Sequence, residues 1–579
     1  MNATHDVLNQ PAPFVDHDLL AVNRPLQDAL TAFLPADRHD ATRQALQALG
    51  TEAGSAALQR HARLANAHPP ELHTHTVQGH RRDTVEFHPS YHALLGGALR
   101  HGLHGTPWSA PAEGPSSHSA PGAHLQRAAG FALWTEAEPS VLCPVSMTYA
   151  VTPSLRGNPA LHALWGPKLA GRDYDERFVP GYLKSTVTMG MGMTEKQGGS
   201  DVRANTTTAQ PDGTDAWGDR AAITGHKWFF SAPMCDAFLV LAQAPEGLTC
   251  YFVPRFGPDG ALNALRLQRL KDKLGNHANA SSEVEFDRAW GWRVGEPGRG
   301  VPQILAMGAL TRLDCALGTA GLMRQALSLA LHHAAQRHAF GRPLIDQPLM
   351  RQVLADLALE SEAATWLALR LAAAVDRTES GQDASGFEAL LRRVLTPIAK
   401  FWVCKRGSGF AQEAMECLGG NGYVEAGGQG AMARVYREMP LNSIWEGAGN
   451  IQSLDLLRAL RTGSRGDTPG THRTVADALM TLTADARAAH PAAARTGEAV
   501  ARQLDGEADE AGARQLARDV ALLVQAALLH ANAGRTEVGD DLFRCFCDSR
   551  LAQASDVYGT LGSRAPIDAL LRRAMPWTA

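Results

Sequence analysis

Five short segments of this 579-residue chain hold residue types that can grip a phosphorylated, planar ligand or move a proton. The first is GMGMTEKQGGSDVRANTT at 190–207. Glycines at 190, 192, 198 and 199 let the backbone approach a ligand closely, Thr194 and Ser200 offer hydroxyls, and free amides nearby can bind anions. The same string also reads as a glycine-rich turn between two elements. In GHKWFFSAP at 225–233, Phe229 can stack on a planar ring and Ser231 can hydrogen-bond its edge; an ordinary buried strand is the other reading. In RHAFGRPLIDQPLMRQ at 337–352, Arg337 ends a helix, Arg342 lies in a Gly-Arg-Pro turn, and Gln347 comes shortly after that turn. A guanidinium there can clamp a pyrophosphate or simply offset a helix dipole. AMECLGGNGY at 414–423 places Gly419, Gly420 and Gly422 at the end of a helix, where a plain helix stop would also place them. In NSIWEGAGNIQ at 442–452, Glu446 stands beside Trp445 and before small residues that leave room for a substrate. A carboxylate among apolar groups has a raised pKa and becomes a general base, although most glutamates are solvent-exposed.

The elements that must position these residues can be read from texture. Residues 1–182 are rich in Ala, Leu and His at helical spacing, with helices expected over 16–34 and 41–68 and a Pro/Gly/Ser loop at 105–123. Over 183–298 the chain changes to short Thr/Val/Phe/Trp runs separated by Gly, Pro, Asn and Asp, which predicts a compact β-domain with strands at 206–210, 222–232, 237–244, 248–256 and 281–290. Over 299–462 it is helical again: Leu313, Leu317, Ala320, Leu327 and Leu331 share one helical face, and breaks fall at 380–386 and 427–430. The linker TGSRGDTPGTH at 462–472 leads into Ala/Leu/Arg helices, expected to form an appended helical domain over 463–579. The order helices, strands, helices, helices makes an α+β multi-domain protein and lacks the βαβ alternation of a Rossmann chain.

Composition narrows the function classes. A formal charge of −4 supplies no global attraction to nucleic acid, so such contact needs a local basic patch. Eight cysteines without a CxxC pair read as reduced, buried thiols of a cytoplasmic protein. No basic-then-apolar leader opens the chain, and no run approaches the ~20 apolar residues of a membrane span. His73 and His75 hint at a metal, but no carboxylate or cysteine nearby in sequence completes a ligand set, so none is expected.

Taken together, in this order and with these separations, the five segments resemble the acyl-CoA dehydrogenase superfamily over about 180–460. MTEKQGGSD at 193–201 looks like its flavin-cradling TEPGAGSD loop, KWFFS at 227–231 its KxWIT strand, RHAFGRPL its RxxFG turn, ECLGGNGY its QxxGGxG segment and IWEGAGNIQ its IYEGTxNIQ segment. The resemblance implies an N-terminal helical domain, a middle β-barrel and a C-terminal helical bundle, assembled as a homotetramer with FAD near a dimer interface. It implies that Thr194 and Ser231 hydrogen-bond the flavin ring, that Phe229 lies against it and that Ser200 contacts the pyrophosphate. Met191, Met193, Gly199 and Phe230 complete that stretch of the cofactor site. Arg337, Phe340 and Gln347, with Gly419 and Gly420, would reach the FAD of a neighbouring subunit, and Ala448 and Asn450 its adenine-dinucleotide part. Glu446 matches the catalytic base, which takes the α-proton of an acyl thioester while the β-hydride passes to the flavin. Thr311 and Arg312 occupy the alternative site for a base, so Glu446 is the one nominee. An electron-transfer flavoprotein is the implied acceptor.

A narrower resemblance, to the AidB-type alkylation-response flavoproteins, spans nearly the whole chain and is weakest after 465. It rests on TEKQGGSD, GHKWFFS, RLKDKLGNHANASSEVEF at 269–286, TRLDCALG at 311–318, QRHAFGRPLIDQPLMR at 336–351, YREMPLNSIWEG at 436–447 and LHTHTVQGHRRDTVEFHPSYH at 72–92. It implies feeble dehydrogenase activity on acyl-CoA, including isovaleryl-CoA, double-stranded DNA binding through a basic C-terminal surface, and protection of DNA from alkylating agents. The chain departs from that pattern in two places. Residues 463–579 hold 13 arginines and no lysine against 15 acids, a net of −2. Arg458, Arg461, Arg502, Arg514 and Arg518 are the candidates for a DNA-binding face; a solvated helix face of mixed charge is the alternative. The stretch after Tyr423 is also about three residues longer than its counterpart.

Overall fold

The computed structural model describes residues 4–109, 118–425, 431–460, 474–504 and 509–578. They pack as two compact units. One comprises Ala57–Ser117 and Glu138–Asp314; the other comprises Met1–Ala56, His118–Ala137 and Cys315–Ala579. The long helix Gly300–Gln336 passes from the first into the second.

The first unit is built on the middle β-region. Strands β3 (Met189–Gly192), β4 (Thr208–Asp215), β5 (Gly218–Ser231), β6 (Ala237–Ala244), β7 (Gly247–Pro254), β8 (Leu265–Leu270) and β9 (Ser281–Val294) form a seven-stranded sheet in the order β3-β6-β4-β5-β9-β7, with β8 on β9. Because β7 also pairs with β6, the path closes on itself as a barrel and removes the free edges an open sheet would expose. Alternation along β5 and β9 sends Phe230 and Phe286 inward against Phe238, while Trp165, Trp217, Phe252 and Trp292 make a second aromatic cluster. Helix Pro159–Leu169 starts where Asn158 caps it, its side-chain oxygen accepting from Leu161 N at 3.1 Å, with Pro159 in the first turn.

This unit corrects the helical reading of the N-terminal region at one place. Glu71–His75 and Arg81–Glu86 form an antiparallel hairpin, β1 and β2. Alternating exposure along β1 is the strand signature, and helical texture on both sides hides it. Glu86 lies across the hairpin from His73, at 3.1 Å.

The second unit is a helical bundle. Helices Pro348–Glu379 and Phe387–Glu416 form its centre, and Ala431–Asn442, Gly449–Leu460 and Ala513–Ala531 pack on the latter. Asp376, 4% exposed near the end of one long helix, accepts hydrogen bonds from Gly122 N and His124 N and so caps helix Ala123–Ala137. The C-terminal residues are tied to the same bundle by buried ion pairs: Arg550 with Asp356 and Glu360, and Arg573 with Glu362. The face predicted over Leu313, Leu317, Ala320, Leu327 and Leu331 is buried. The break at 427–430 and the linker at 462–472 lie outside the described residues, as does Arg461. No described helix is long and apolar enough to cross a membrane, and all eight cysteines are free and buried.

Candidate flavin site and catalytic loop

In the first unit the loop after β3 and the end of β5 lie side by side. Trp228 N donates to Thr194 O at 2.8 Å, and Lys196 N to His226 Nε2 at 3.1 Å, so the loop is stapled to the strand. The staple is completed by Glu195, which the motif reading passed over. Its carboxylate is 1% exposed and accepts from Thr206 N at 2.7 Å, Thr206 Oγ1 at 3.0 Å, Gln197 Nε2 at 2.8 Å and Lys227 Nζ at 2.6 Å. Burial alone would raise the Glu195 carboxyl, but these donors, Lys227 first, hold it down at about 2. Lys227 also donates to Leu241 O at 2.9 Å, which anchors the loop to the barrel wall.

The staple fixes what the loop presents. Gly199 and Ser200 are exposed, Thr194 and Ser231 half-buried, and Phe229 is 52% exposed. A Cβ on Gly199 would fall 2.5 Å from Thr194 Oγ1, so glycine keeps that hydroxyl clear. Gly190 and Gly192 do something different from the ligand approach their sequence context suggested: a Cβ on them would strike the Phe238 and Phe230 rings at 2.7 Å, so they make room for the core. Phe230 is fully buried, its ring packed at a tilt against Phe238 and its carbonyl accepting from Ser282 Oγ. Met191 is buried and Met193 half-buried. Ser231 Oγ lies 3.3 Å from Ser281 Oγ. Lys271 Nζ sits 3.2 Å above the Trp228 ring and 4.9 Å from the Phe229 ring. An open aromatic face flanked by hydroxyls and an exposed glycine-bearing loop suits a flat ring with a phosphate tail.

The other candidates lie in the second unit. Arg337 donates to Asn9 O at the base of a two-residue ladder, β10 (His338–Ala339) with β11 (Arg342–Pro343). Phe340 stands at its tip, left-handed at φ 52° and 97% exposed. Gln347 spends its amide on Ala339 O at 3.0 Å, holding the turn. Gly419, at φ 57°, and Gly420 are exposed with open space where a Cβ would stand. Ala448 and Asn450 are exposed, and Asn450 accepts from Arg514 at 3.1 Å.

Glu446 is half-buried in a tightly held loop. It has φ 60°, a conformation that costs an L-residue roughly 1–2 kcal/mol. Buried Gln452 donates to the carbonyls of Glu446 and Gly447, both at 2.9 Å, and buried Lys400 donates to Gly447 O at 2.8 Å. Trp445 Nε1 bonds Asn442 Oδ1, whose amide reaches Thr319. Gln452 and Lys400 are also residues that motif reading missed; their burial is the signal, and it appears only in the fold.

Of the proposed DNA-binding arginines, Arg458, Arg502 and Arg514 are exposed. Arg514 is engaged with Asn450 and lies over the Phe401 ring, and Arg518 pairs with Asp519 at 2.7 Å.

Residues 9–176 match the family described as Adaptive response protein AidB N-terminal domain, 190–289 the acyl-CoA dehydrogenase middle domain and 298–461 the acyl-CoA dehydrogenase C-terminal domain. The chain belongs to the acyl-CoA dehydrogenase family, FAD-dependent oxidoreductases with a helical, a β and a second helical domain. Within it, the chain is 48% identical over 460 residues to the Escherichia coli (strain K12) protein named "Putative acyl-CoA dehydrogenase AidB", covering 79% of this chain and 80% of that one. The apo form of Bd2924 superposes with a TM-score of 0.80 at 28% identity, over 91% of this chain and all of that one. Caenorhabditis elegans ACDH-11, solved with C11-CoA, has the same fold, with a TM-score of 0.80 at 24% identity over 100% and 94% of the two chains.

Proposed function

We propose that the chain dehydrogenates an acyl-CoA thioester between its α and β carbons, with Glu446 as the base. The observation that carries this reading is the Glu446 loop: a residue in a costly backbone conformation whose carbonyl and that of Gly447 are held by two buried side chains, Gln452 and Lys400. Bound FAD supplies the hydride acceptor. Thr194 and Ser231 hydrogen-bond the flavin edge, Phe229 supports its face, and Ser200 with the neighbouring amides takes the pyrophosphate. Arg337, Phe340, Gln347, Gly419 and Gly420 serve the FAD of a neighbouring subunit in a homotetramer, and Ala448 and Asn450 its adenine end. Glu446 removes the α-proton; fixing its backbone in advance contributes to rate because less reorganisation is left for the reaction step. Anaerobic titration with a panel of acyl-CoAs, read as loss of visible flavin absorbance, tests the proposal. Bleaching by at least one chain length that disappears in Glu446→Gln is expected; equal bleaching in the variant rules Glu446 out as base.

A second reading, double-stranded DNA association in a cytoplasmic response to alkylating agents, is favoured by two observations, the 48% identity with AidB and the match to an adaptive-response N-terminal domain. Phosphate neutralisation by exposed Arg458 and Arg502 would supply the contact. Filter binding of duplex DNA across salt concentrations tests it: retention at low salt that falls steeply with added salt is expected, and no retention at low salt removes the reading.

A further inference from the structure

The first unit encloses a cavity of about 100 Å³ between helix Pro89–Arg100, the segment 174–188 and the residues that come after β5 and β7. Part of its lining is apolar: Phe87 and Tyr91 stack with centroids 4.0 Å apart, and Leu95 and Leu99 contribute. Arg255 and Thr186 also line it.

Each acid around this cavity has a partner other than Arg255. Asp175 pairs with Arg177 at 2.6 Å, Glu176 with His92 at 3.2 Å and Asp236 with Lys184 at 2.8 Å. Asp83 and Asp236 both lie near enough to favour the charge of Arg255, yet their ion pairs are with Arg81 and Lys184, and Asp83 Oδ1 is left without a hydrogen-bond partner. Arg255 is 3% exposed and forms no ion pair among the described residues. Its Nη2 donates to the backbone carbonyl of Asp83 at 2.9 Å, while Nε and Nη1 have no acceptor at all. The Thr186 hydroxyl, equally buried, is unpartnered too. The guanidinium lies 4.9 Å over the Phe178 ring, a contact that orients it without satisfying its N–H groups. Burial lowers its pKa to about 10, so it is a cation at neutral pH. A buried cation with unused donors that lines a cavity whose acids have other partners is a site for an anion.

We propose that this cavity binds a short-chain carboxylate of roughly four or five carbons. Its carboxylate is held by Arg255 and Thr186 and its alkyl end lies against Tyr91, Leu95 and Leu99. Guanidinium donors suit a carboxylate, and the apolar walls select against a hydrated inorganic anion. The site is independent of Glu446 and of dehydrogenation.

Calorimetric titration of the FAD-loaded full chain with butyrate, butyramide and chloride tests this. Saturable binding of one butyrate per chain is expected, at least tenfold tighter than butyramide, with no competition from chloride at matched concentration. Arg255→Met should weaken butyrate at least tenfold and leave butyramide unchanged, with FAD content and circular dichroism as checks of folding. Should that variant fail to fold, Leu95→Trp fills the apolar part without touching the charge and should abolish binding. Glu446→Gln should bind butyrate as the parent does, which separates this cavity from the flavin site. Butyramide as tight as butyrate, no butyrate binding, or unchanged binding in Leu95→Trp each overturns the proposal.

Discussion

At the scale of single residues, the buried pair Glu195–Lys227 determines whether the flavin loop keeps its shape. Both side chains are inaccessible to solvent. Lys227→Met strands a buried carboxylate, which is expected to cost about 3–5 kcal/mol in urea denaturation and to loosen FAD retention. Glu195→Gln added to it should recover part of the loss. Burial likewise raises the Glu136 carboxyl to about 8, against the opposing pull of Arg324. The folded state therefore keeps a proton that the unfolded chain has released. The Glu136 contribution is fully present below the unfolded value near 4.5 and is lost as pH rises toward 8, with a slope of at most about 1.4 kcal/mol per pH unit. Glu136→Gln is expected to flatten that part of the stability profile and to leave the protein more stable at pH 8; identical slopes in parent and variant would count against it. The flavin motif itself was legible because its residues are contiguous. The Glu195–Lys227 pair was not, because it joins positions on opposite sides of a turn and a strand, and only strand register brings them together. Register also decides between neighbours: period-two alternation says that Phe229 and Phe230 face opposite ways, but not which of them faces solvent.

At the scale of elements, the Glu446 turn trades stability for position. Glycine adopts φ 60° without the clash that Glu446 tolerates. Glu446→Gly is therefore expected to gain up to about 1 kcal/mol in urea denaturation while losing all bleaching by acyl-CoA. A destabilised variant would show that the carboxylate itself contributes to the fold. The strands β4 to β7 and β9 were readable from β-branched and aromatic runs between turn residues. Among the pieces that were not, which include β3 and the ladder of β10 with β11, two show why. Strand β8, LRLQRL, has polar residues at outward positions and looks like a loop until it pairs with β9. Hairpin β1–β2 is short, polar and His-rich, and it is set among helices; nothing local outweighs that texture.

At the scale of the whole molecule, the C-terminal arginines show how charge counting misleads. A net of −2 over 463–579 overstates the arginine left to face water. Arg550 and Arg573 are consumed by buried carboxylates of helix Pro348–Glu379, outside that range, and Arg518 by Asp519. Sequence could not separate arginines that build the bundle from those that face water. The exposed Phe340 tip belongs to this scale as well: Phe340→Asp is expected to reduce the proposed tetramer to smaller species in light scattering and to release FAD. An unchanged mass would remove that tip from the assembly. One further consequence comes from the eight buried cysteines. Burial pushes the Cys250, Cys417 and Cys545 thiols up to about 12 and those of Cys235, Cys404 and Cys547 upward too, so these six hold almost no thiolate in the native protein. The chain thus carries its own clock: an electrophile can mark a sulfur only when the fold around it opens, and the order in which the sulfurs are marked gives the order in which barrel and bundle breathe.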